Sequence, residues 1–123
     1  MKVGFITVHV KNLEESVEFY KNAFGLFEVR RFSPQEGVNI VFLKDEEKGL
    51  IELIENNHMH EVNEGALVSI GFNVEDLNEV LKRLREKDIE IIRGPIEVPS
   101  GEKFVFIKDP NGVEIELIEG FGV

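Results

Sequence analysis

Two glutamates that share identical neighbours are the side chains of this sequence best placed to do chemistry together. Glu52 lies within residues 51–55 and Glu116 within residues 115–119, and both stretches read Ile-Glu-Leu-Ile-Glu. A carboxylate set among aliphatic residues is costly to bury unless a cation or a hydrogen-bond donor compensates it. We therefore predict that Glu52 and Glu116 bind a common ligand or metal ion. Two ordinary carboxylates on a solvated sheet face would also produce this pattern.

The two stretches belong to a longer internal repeat. The glutamates are 116 − 52 = 64 residues apart, and the same offset pairs further residues without any gap. These pairs are Ile6 and Ile70, Val10 and Val74, Leu13 and Leu77, Glu15 and Glu79, Val41 and Val105, Phe42 and Phe106, Lys44 and Lys108, and Asp45 and Asp109. A match of this length indicates two fused copies of one supersecondary unit. We predict a single domain over residues 1–123, with module 1 at 1–55, a polar connector at 56–65 and module 2 at 66–123.

The pattern of module 1 is that of a βαβββ unit. Its strands are predicted over residues 4–10, 27–32, 38–44 and 49–55, with polar turns that contain Pro or Gly between the last three. A helix follows the first strand, because Asn12 is a suitable N-cap with Glu15 three residues later, and Gly25 is placed to end the helix. Apolar residues between these caps recur at helical spacing.

Module 2 repeats this plan. Its strands are predicted over residues 69–74, 89–93, 103–108 and 113–119. Asp76 and Glu79 cap the predicted helix, and Asp109 opens a turn that reads Asp-Pro-Asn-Gly.

Strand alternation divides each first strand into an apolar face and a mixed face. The apolar faces should pack on the helices, and the mixed faces carry Phe5, Thr7 and His9 in module 1, and Ser69 and Asn73 in module 2. A sheet covered by helices on one side must meet solvent or enclose something on the other side. The sequence therefore predicts an α+β fold in which two tandem βαβββ modules form a half-barrel cleft, with those five residues as candidate ligand-binding residues.

Composition restricts the partners. The chain carries 14 basic and 24 acidic side chains, and the resulting net charge of −10 argues against a nucleic-acid partner and would attract a cationic small ligand. Cysteine is absent, which excludes disulfides, thiolate metal sites and cysteine nucleophiles. No apolar run is long enough to span a bilayer and no secretory signal is evident, so we expect no membrane partner and a cytoplasmic location.

Three stretches of the sequence resemble the vicinal oxygen chelate superfamily, also called the glyoxalase/bleomycin resistance/dioxygenase superfamily. They are Ile-Thr-Val-His-Val-Lys-Asn-Leu-Glu-Glu-Ser-Val-Glu-Phe-Tyr at 6–20, Ser-Ile-Gly-Phe-Asn-Val-Glu-Asp-Leu at 69–77 and Asp-Pro-Asn-Gly-Val-Glu-Ile-Glu-Leu at 109–117. The resemblance covers essentially the whole chain. It implies paired βαβββ modules that form a cleft, commonly completed in a homodimer.

The resemblance also implies where a metal ion would bind. Metal-dependent members hold a divalent ion with a His from each first strand and a Glu from each last strand. Glu52 and Glu116 match the glutamate positions, whereas the histidine positions, eight residues before Leu13 and Leu77, hold Phe5 and Ser69. His9 is four residues beyond Phe5, roughly 13 Å along a strand, and is expected to contact ligand in the cleft.

The sequence keeps both glutamates of the implied metal site and lacks both histidines, and two functions of different class are compatible with this combination. The first is a small-molecule-binding protein of the bleomycin-resistance type, without the usual His/Glu/His/Glu metal site. The second is a divalent-metal-dependent lyase, isomerase or dioxygenase that uses Glu52 and Glu116. Two carboxylates with Ser69 and water favour Mg²⁺ or Mn²⁺ over Zn²⁺ or Ni²⁺. His58 and His60 lie in the polar connector and are expected to be solvated, with metal binding as the alternative.

Overall fold

The structure, a computed structural model, describes residues 3, 5–58 and 68–121. The chain divides into two compact units, Met1–Asn63 and Glu64–Val123, which contain module 1 and module 2. Of the predicted connector, residues 56–58 are described, and His60 lies outside the described residues. Within the described ranges, no helix is long and apolar enough to cross a membrane.

Module 1 consists of one helix packed on a four-stranded mixed sheet. Its elements are β1 (Ile6–His9), α1 (Leu13–Phe24), β2 (Phe27–Gln35), β3 (Val38–Lys44) and β4 (Leu50–Asn56). The strand order is β1-β4-β3-β2, with β1 parallel to β4 and the other neighbours antiparallel. Helix α1 packs against β3 and β4.

Module 2 has the same topology. Its elements are β5 (Ser69–Val74), α2 (Leu77–Glu86), β6 (Arg93–Glu97), β7 (Lys103–Lys108) and β8 (Glu114–Glu119). The strand order is β5-β8-β7-β6, with β5 parallel to β8 and the other neighbours antiparallel. The predicted α+β arrangement of two tandem βαβββ modules is therefore confirmed, while the cleft that their mixed faces would line stays a prediction.

Both helices begin at the residues that the sequence indicated. The Asn12 side chain accepts a hydrogen bond from the backbone N–H of Glu15, and Asp76 accepts one from Glu79. Each cap satisfies a backbone donor that has no partner within its helix. Gly25 ends α1 in the left-handed conformation, with φ at 69°. Glycine adopts this conformation without a steric clash because it has no Cβ.

The hydrophobic core of each module lies between its helix and the facing side of its sheet. In module 1, β3 pairs Val41 with Leu53 and Leu43 with Ile51, and all four side chains are buried. In module 2 the equivalent residues Val105, Ile107, Ile115 and Leu117 are buried in the same register. The first and third positions of the repeated pentapeptide, which are Ile51 and Leu53 in module 1 and Ile115 and Leu117 in module 2, therefore face the helices, as their alternation predicts.

The predicted bounds are wrong for the strand after α2. Residues 89–92 do not form a strand, and β6 covers Arg93–Glu97. The reason is local, since the Ile89 N–H donates to the Leu84 carbonyl and so extends the exit from α2. Pro95 is tolerated inside β6 because this strand lies at the edge of its sheet, where one side needs no backbone donor. Strand β2 also runs three residues past its predicted end, to Gln35.

Candidate functional site

Each sheet has a face opposite its helix, which we call the helix-free face. In module 1 this face carries Thr7, Phe42 and Glu52, which are aligned across three neighbouring strands. In module 2 the same positions are held by Gly71, Phe106 and Glu116. The structure thus places both predicted glutamates at the same position of their respective sheets.

Glu52 is held by a neighbouring strand. The hydroxyl Oγ1 of Thr7 on β1 donates to the carboxylate Oε1 of Glu52 on β4 over 2.7 Å. This contact is exposed, and the Glu52 side chain is partly accessible. One carboxylate oxygen is thereby oriented by the protein, and the group remains able to accept a hydrogen bond from a ligand.

Aromatic rings lie on both sides of Phe42. The Phe5 ring meets the Phe42 ring edge to face at a centroid distance of 5.6 Å, and Phe32 lies parallel to Phe42 at 6.5 Å. Phe5 is 52% exposed, although it is a large apolar side chain. The three rings form an apolar surface beside the Glu52 carboxylate, a combination that suits a ligand with a planar apolar part.

His9 occupies the end of β1. It is exposed, is in register with Ile54, and shares the helix-free face with Thr7 two residues earlier. Phe5, Thr7 and His9 therefore all lie on the face that carries Glu52, as the alternation of β1 predicted. Their role in ligand binding remains a prediction.

The helix-free face of module 2 is more open near its glutamate. Gly71 stands where module 1 has Thr7, and a Cβ added there would meet no atom within 4 Å. Ser69 is in register with Glu114, and Asn73 with Ile118, so both predicted residues share the face of Glu116. The two modules therefore surround equivalent carboxylates with different neighbours.

Sequence reasoning missed one arginine on each helix-free face. Arg30 on β2 is in register with Phe42, and its guanidinium lies 4.3 Å from the centroid of the Phe32 ring. Arg93 on β6 is in register with Phe106 and lies 4.0 Å from the centroid of that ring. The gap-free repeat concealed this pair, because 93 − 30 = 63 whereas the other pairs differ by 64. A register shift in β6 between Arg93 and Ile96, which β2 lacks between Arg30 and Phe32, accounts for the difference and keeps both arginines opposite the equivalent phenylalanines.

The last glutamate of each pentapeptide has a different task from the first. Oε2 of Glu55 accepts a hydrogen bond from the backbone N–H of Leu13 over 2.8 Å, and Oε1 of Glu119 accepts one from Leu77 over 2.9 Å. Leu13 and Leu77 are the first residues of α1 and α2. Glu55 and Glu119 thus fasten each helix start to the last strand of its sheet. The sequence did hold a signal for this role. Each glutamate ends the predicted last strand of its module, and that strand lies beside the first strand, which leads directly into the helix.

A pocket of about 360 Å³ lies at the start of α1 rather than beside Glu52. Its lining residues are Asn12, Leu13, Glu14, Arg31, Phe32, Ser33, Asn39 and Glu55. The charged groups in it have partners, since Glu55 bonds to α1 and Arg31 pairs with Glu14 and Glu28. We therefore interpret this pocket as part of the junction between α1 and the sheet.

The donor atoms of the chain do not fit the four-ligand metal site that the resemblance implies. Phe5 offers no donor atom and Ser69 offers a hydroxyl, where two imidazoles would be required. In the part of the chain that the structure describes, no group of three or more His, Asp or Glu side chains is arranged to hold a metal ion. The remaining members of the implied set are Glu52 and Glu116.

His58 lies against the hairpin turn between β2 and β3. Its Nε2 is 2.9 Å from the carbonyl oxygen of Glu36, and a Cβ added at Gly37 would come within 2.8 Å of the same nitrogen. The side chain is exposed, as expected of a connector residue, but it contacts the turn.

Comparisons of the sequence with a family model and with curated proteins point to the same family. The sequence model of the Glyoxalase/Bleomycin resistance protein/Dioxygenase superfamily matches residues 2–117. A probable lactoylglutathione lyase of Synechocystis is 28% identical over 119 residues, which cover 91% of this chain and 90% of that protein. A lactoylglutathione lyase of Salmonella typhimurium is 28% identical over 125 residues, with 97% and 93% coverage.

Solved structures share the fold. A glyoxalase I variant from Zea mays superposes with a TM-score of 0.83 at 22% identity, covering 95% of this chain, which spans 44% of the maize chain. The trypanothione-dependent glyoxalase I of Leishmania major gives a TM-score of 0.78 at 26% identity, with 97% and 86% coverage. The fosfomycin resistance protein FosX of Listeria monocytogenes gives 0.78 at 19% identity, with 94% and 91% coverage.

Proposed function

The chain belongs to the glyoxalase/bleomycin resistance protein/dioxygenase superfamily, and from this premise we propose that it binds a small organic molecule on its helix-free faces. We further propose that it does so without the four-ligand His/Glu metal site of metal-dependent members. The observation that carries the proposal is the chemistry at the two histidine positions. Phe5 at the first of them replaces a metal ligand by an exposed aromatic ring, which gains free energy when a ligand covers it.

The surroundings of Glu52 support binding of a molecule with both apolar and polar parts. Phe5, Phe32 and Phe42 supply a continuous apolar surface, and the Thr7 hydroxyl orients the adjacent carboxylate. An oriented carboxylate recognises hydrogen-bond donors and cations. The net charge of −10 adds a long-range attraction for cationic groups.

A fragment screen on metal-free protein tests this proposal. We expect aromatic fragments to shift the amide resonances of β1, β3 and β4 in ¹⁵N-labelled protein that is kept in EDTA. Because the Phe5 ring would cover part of the ligand, Phe5→Ala should weaken binding by about tenfold. Phe121→Ala, which removes a similarly exposed ring two residues after the end of β8, serves as the matched control and should leave binding unchanged. Binding that requires an added divalent ion would contradict the proposal.

A second candidate function is a metal-dependent lyase. The curated relatives are named lactoylglutathione lyases, and the chain retains both glutamates of the implied metal set. In that case Glu52 and Glu116 would bind a divalent ion, with Mg²⁺ or Mn²⁺ favoured by the oxygen donors.

Calorimetric titration with Mn²⁺ separates the two functions. The first proposal expects no tight stoichiometric binding to wild-type protein. A tightly bound ion that is lost in both Glu52→Gln and Glu116→Gln would instead contradict the first proposal and support the second. Glu47→Gln, in the exposed turn before β4, is the matched control for a change of one surface charge.

We also propose that the protein is a homodimer, as family resemblance suggests. The chain has a mass of 14.0 kDa, so sedimentation equilibrium should give 2 × 14.0 = 28.0 kDa at micromolar concentration. A mass of 14.0 kDa across the accessible concentration range would rule the dimer out.

A further inference from the structure

A row of three side chains crosses the helix-free face of module 1, and from it we infer the class of ligand. Arg30 on β2, Phe42 on β3 and Glu52 on β4 are directly opposite one another in the strand register. We propose that this row, which we call the Arg-Phe-Glu row, recognises a small aromatic zwitterion. In this arrangement Arg30 binds the carboxylate, Phe42 contacts the ring and Glu52 binds the ammonium group. The inference rests on the proposed function, because it concerns the same surface.

The strand register fixes the order of the three groups. Paired residues of neighbouring antiparallel strands project to the same side of the sheet. Neighbouring strands are about 4.8 Å apart, so Arg30 and Glu52, which are two strands apart, are separated by roughly 10 Å at the backbone. The Phe42 ring lies between them, with the Phe5 ring at its edge. A positive group, an apolar surface and a negative group therefore follow one another across the face.

Arg30 is suited to bind a carboxylate. Its guanidinium lies over the Phe32 ring, and stacking of this kind uses the plane of the group while its N–H donors point outward at the edge. Arg31, the next residue, has its carboxylate partners in Glu14 and Glu28. Among the described residues, no carboxylate lies within ion-pair distance of Arg30. Arg30 is also exposed, so a bidentate pair with a ligand carboxylate is sterically accessible.

The same row recurs in module 2 as Arg93, Phe106 and Glu116. One difference is that Nη2 of Arg93 lies 3.5 Å from the carboxylate of Glu114, with both side chains more than one third exposed. A ligand carboxylate at Arg93 would compete with Glu114, whereas no carboxylate in the described ranges pairs with Arg30. We therefore assign the stronger recognition to the row of module 1.

The charge of the whole chain favours a zwitterion over a simple anion. With a net charge of −10, the protein repels an anion that approaches from solution. A ligand with a compensating ammonium group avoids this repulsion and can use both ends of the row. A purely cationic ligand would be attracted but would place its charge near Glu52 alone.

Binding of four matched probes to full-length, metal-free protein tests the inference. The probes are 4-(aminomethyl)benzoate, the cation benzylamine, the anion 4-methylbenzoate and the neutral 4-methylbenzamide, each titrated into ¹⁵N-labelled protein. We expect the zwitterion to bind at least about tenfold more tightly than the other three probes, since it alone gains a charge-assisted pair at each end. Arg30→Gln should remove that advantage and leave benzylamine binding unchanged.

The control variants separate the role of Arg30 from a general effect of charge. Arg85→Gln removes one positive charge from the exposed surface of α2 and should leave all four titrations unchanged. Arg30→Lys keeps the charge but loses the planar fork, so it should recover a minor part of the preference. If the probes bind the helix-free face with equal affinity, or if Arg30→Gln keeps the preference, the ligand class is wrong and the proposed function stands. If none of the probes binds, the ligand class is again wrong, and the broader fragment screen decides the proposed function.

Discussion

At the scale of single residues, two glutamates three positions apart do different work in each module. Glu52 and Glu116 lie on the helix-free faces, while Glu55 and Glu119 accept hydrogen bonds from the first residues of α1 and α2. Strand alternation explains this division, because an odd spacing sends side chains to opposite faces. The identity of the pentapeptides therefore reflects a structural requirement as well as any shared ligand.

We predict that Glu55→Ala and Glu119→Ala each lower the free energy of unfolding by about 1–2 kcal/mol. Each variant removes a charged acceptor from a part-buried backbone donor at a helix N-terminus, where the helix dipole also favours the carboxylate. Urea denaturation at pH 7 measures the loss. Glu18→Ala, on the exposed side of α1, is the control and should change stability by less than about 0.5 kcal/mol. Equal effects at Glu55 and Glu18 would refute the assigned role.

Most residues of the candidate site were predictable from the sequence, and the arginines were not. Alternation and the repeat placed Thr7, His9 and Glu52 on one face, because period-two patterning is a local property of a strand. Arg30 and Arg93 were missed because their equivalence depends on a bulge in β6 between Arg93 and Ile96, which β2 lacks between Arg30 and Phe32. A bulge adds a residue to one strand alone. It therefore changes the number of residues between equivalent positions in the two modules but leaves those positions at the same place in the sheet.

At the scale of elements, helices and inner strands followed from the sequence better than edge strands did. Strands β3 and β7 have the predicted bounds, since each buries two aliphatic residues against a helix, Val41 and Leu43 in β3 and Val105 and Ile107 in β7, and these fix the register. Strand β6 lies at an edge, where one side has no partner strand to impose its bounds. The predicted strand began at Ile89, whose N–H instead donates to the Leu84 carbonyl at the exit from α2, and β6 begins at Arg93.

Arg31 connects two elements of module 1, and we predict a pH-dependent contribution from it. The hydrogen bond from Arg31 holds the pKa of Glu28 below its ordinary value of 4.5, and Glu14 pairs with the same guanidinium. A lowered folded-state pKa means that this stabilisation is complete above pH 4.5 and is lost as the pH falls through the lower folded value. These side chains are partly exposed, so solvent screening limits the contribution to less than about 1 kcal/mol.

The corresponding experiment compares wild-type protein with Arg31→Gln by urea denaturation between pH 7 and pH 3. The difference in unfolding free energy should be constant from pH 7 to pH 5 and should decrease as the pH falls below 4.5. Arg83→Gln, on the exposed surface of α2, is the control for the loss of one positive charge. A difference that grows as the pH falls would contradict the assigned pairing.

At the scale of the whole molecule, duplication explains the fold more directly than composition does. The two turns that follow β3 and β7 show this, since Asp45 accepts from the backbone N–H groups of Glu47 and Gly49, and Asp109 from those of Asn111 and Val113. Each aspartate closes its turn through the same two bonds. One βαβββ plan, with its helix capped and its last turn closed in the same way, thus accounts for both halves of the chain.

The same molecule carries a net charge of −10, and we predict that this charge destabilises it at low ionic strength. Like charges repel more strongly in the compact state than in the expanded unfolded chain, and salt screens this repulsion. Raising KCl from about 10 mM to about 200 mM at pH 7 should therefore stabilise the fold by about 1 kcal/mol, or roughly 4 °C in the thermal midpoint. The control is pH, because the sequence pI is about 4.8 and the repulsion should be nearly absent near that value. Thermal denaturation should accordingly show a strong salt dependence at pH 7 and a weak one at pH 5. The same dependence at both values would mean that salt acts through the apolar surface instead.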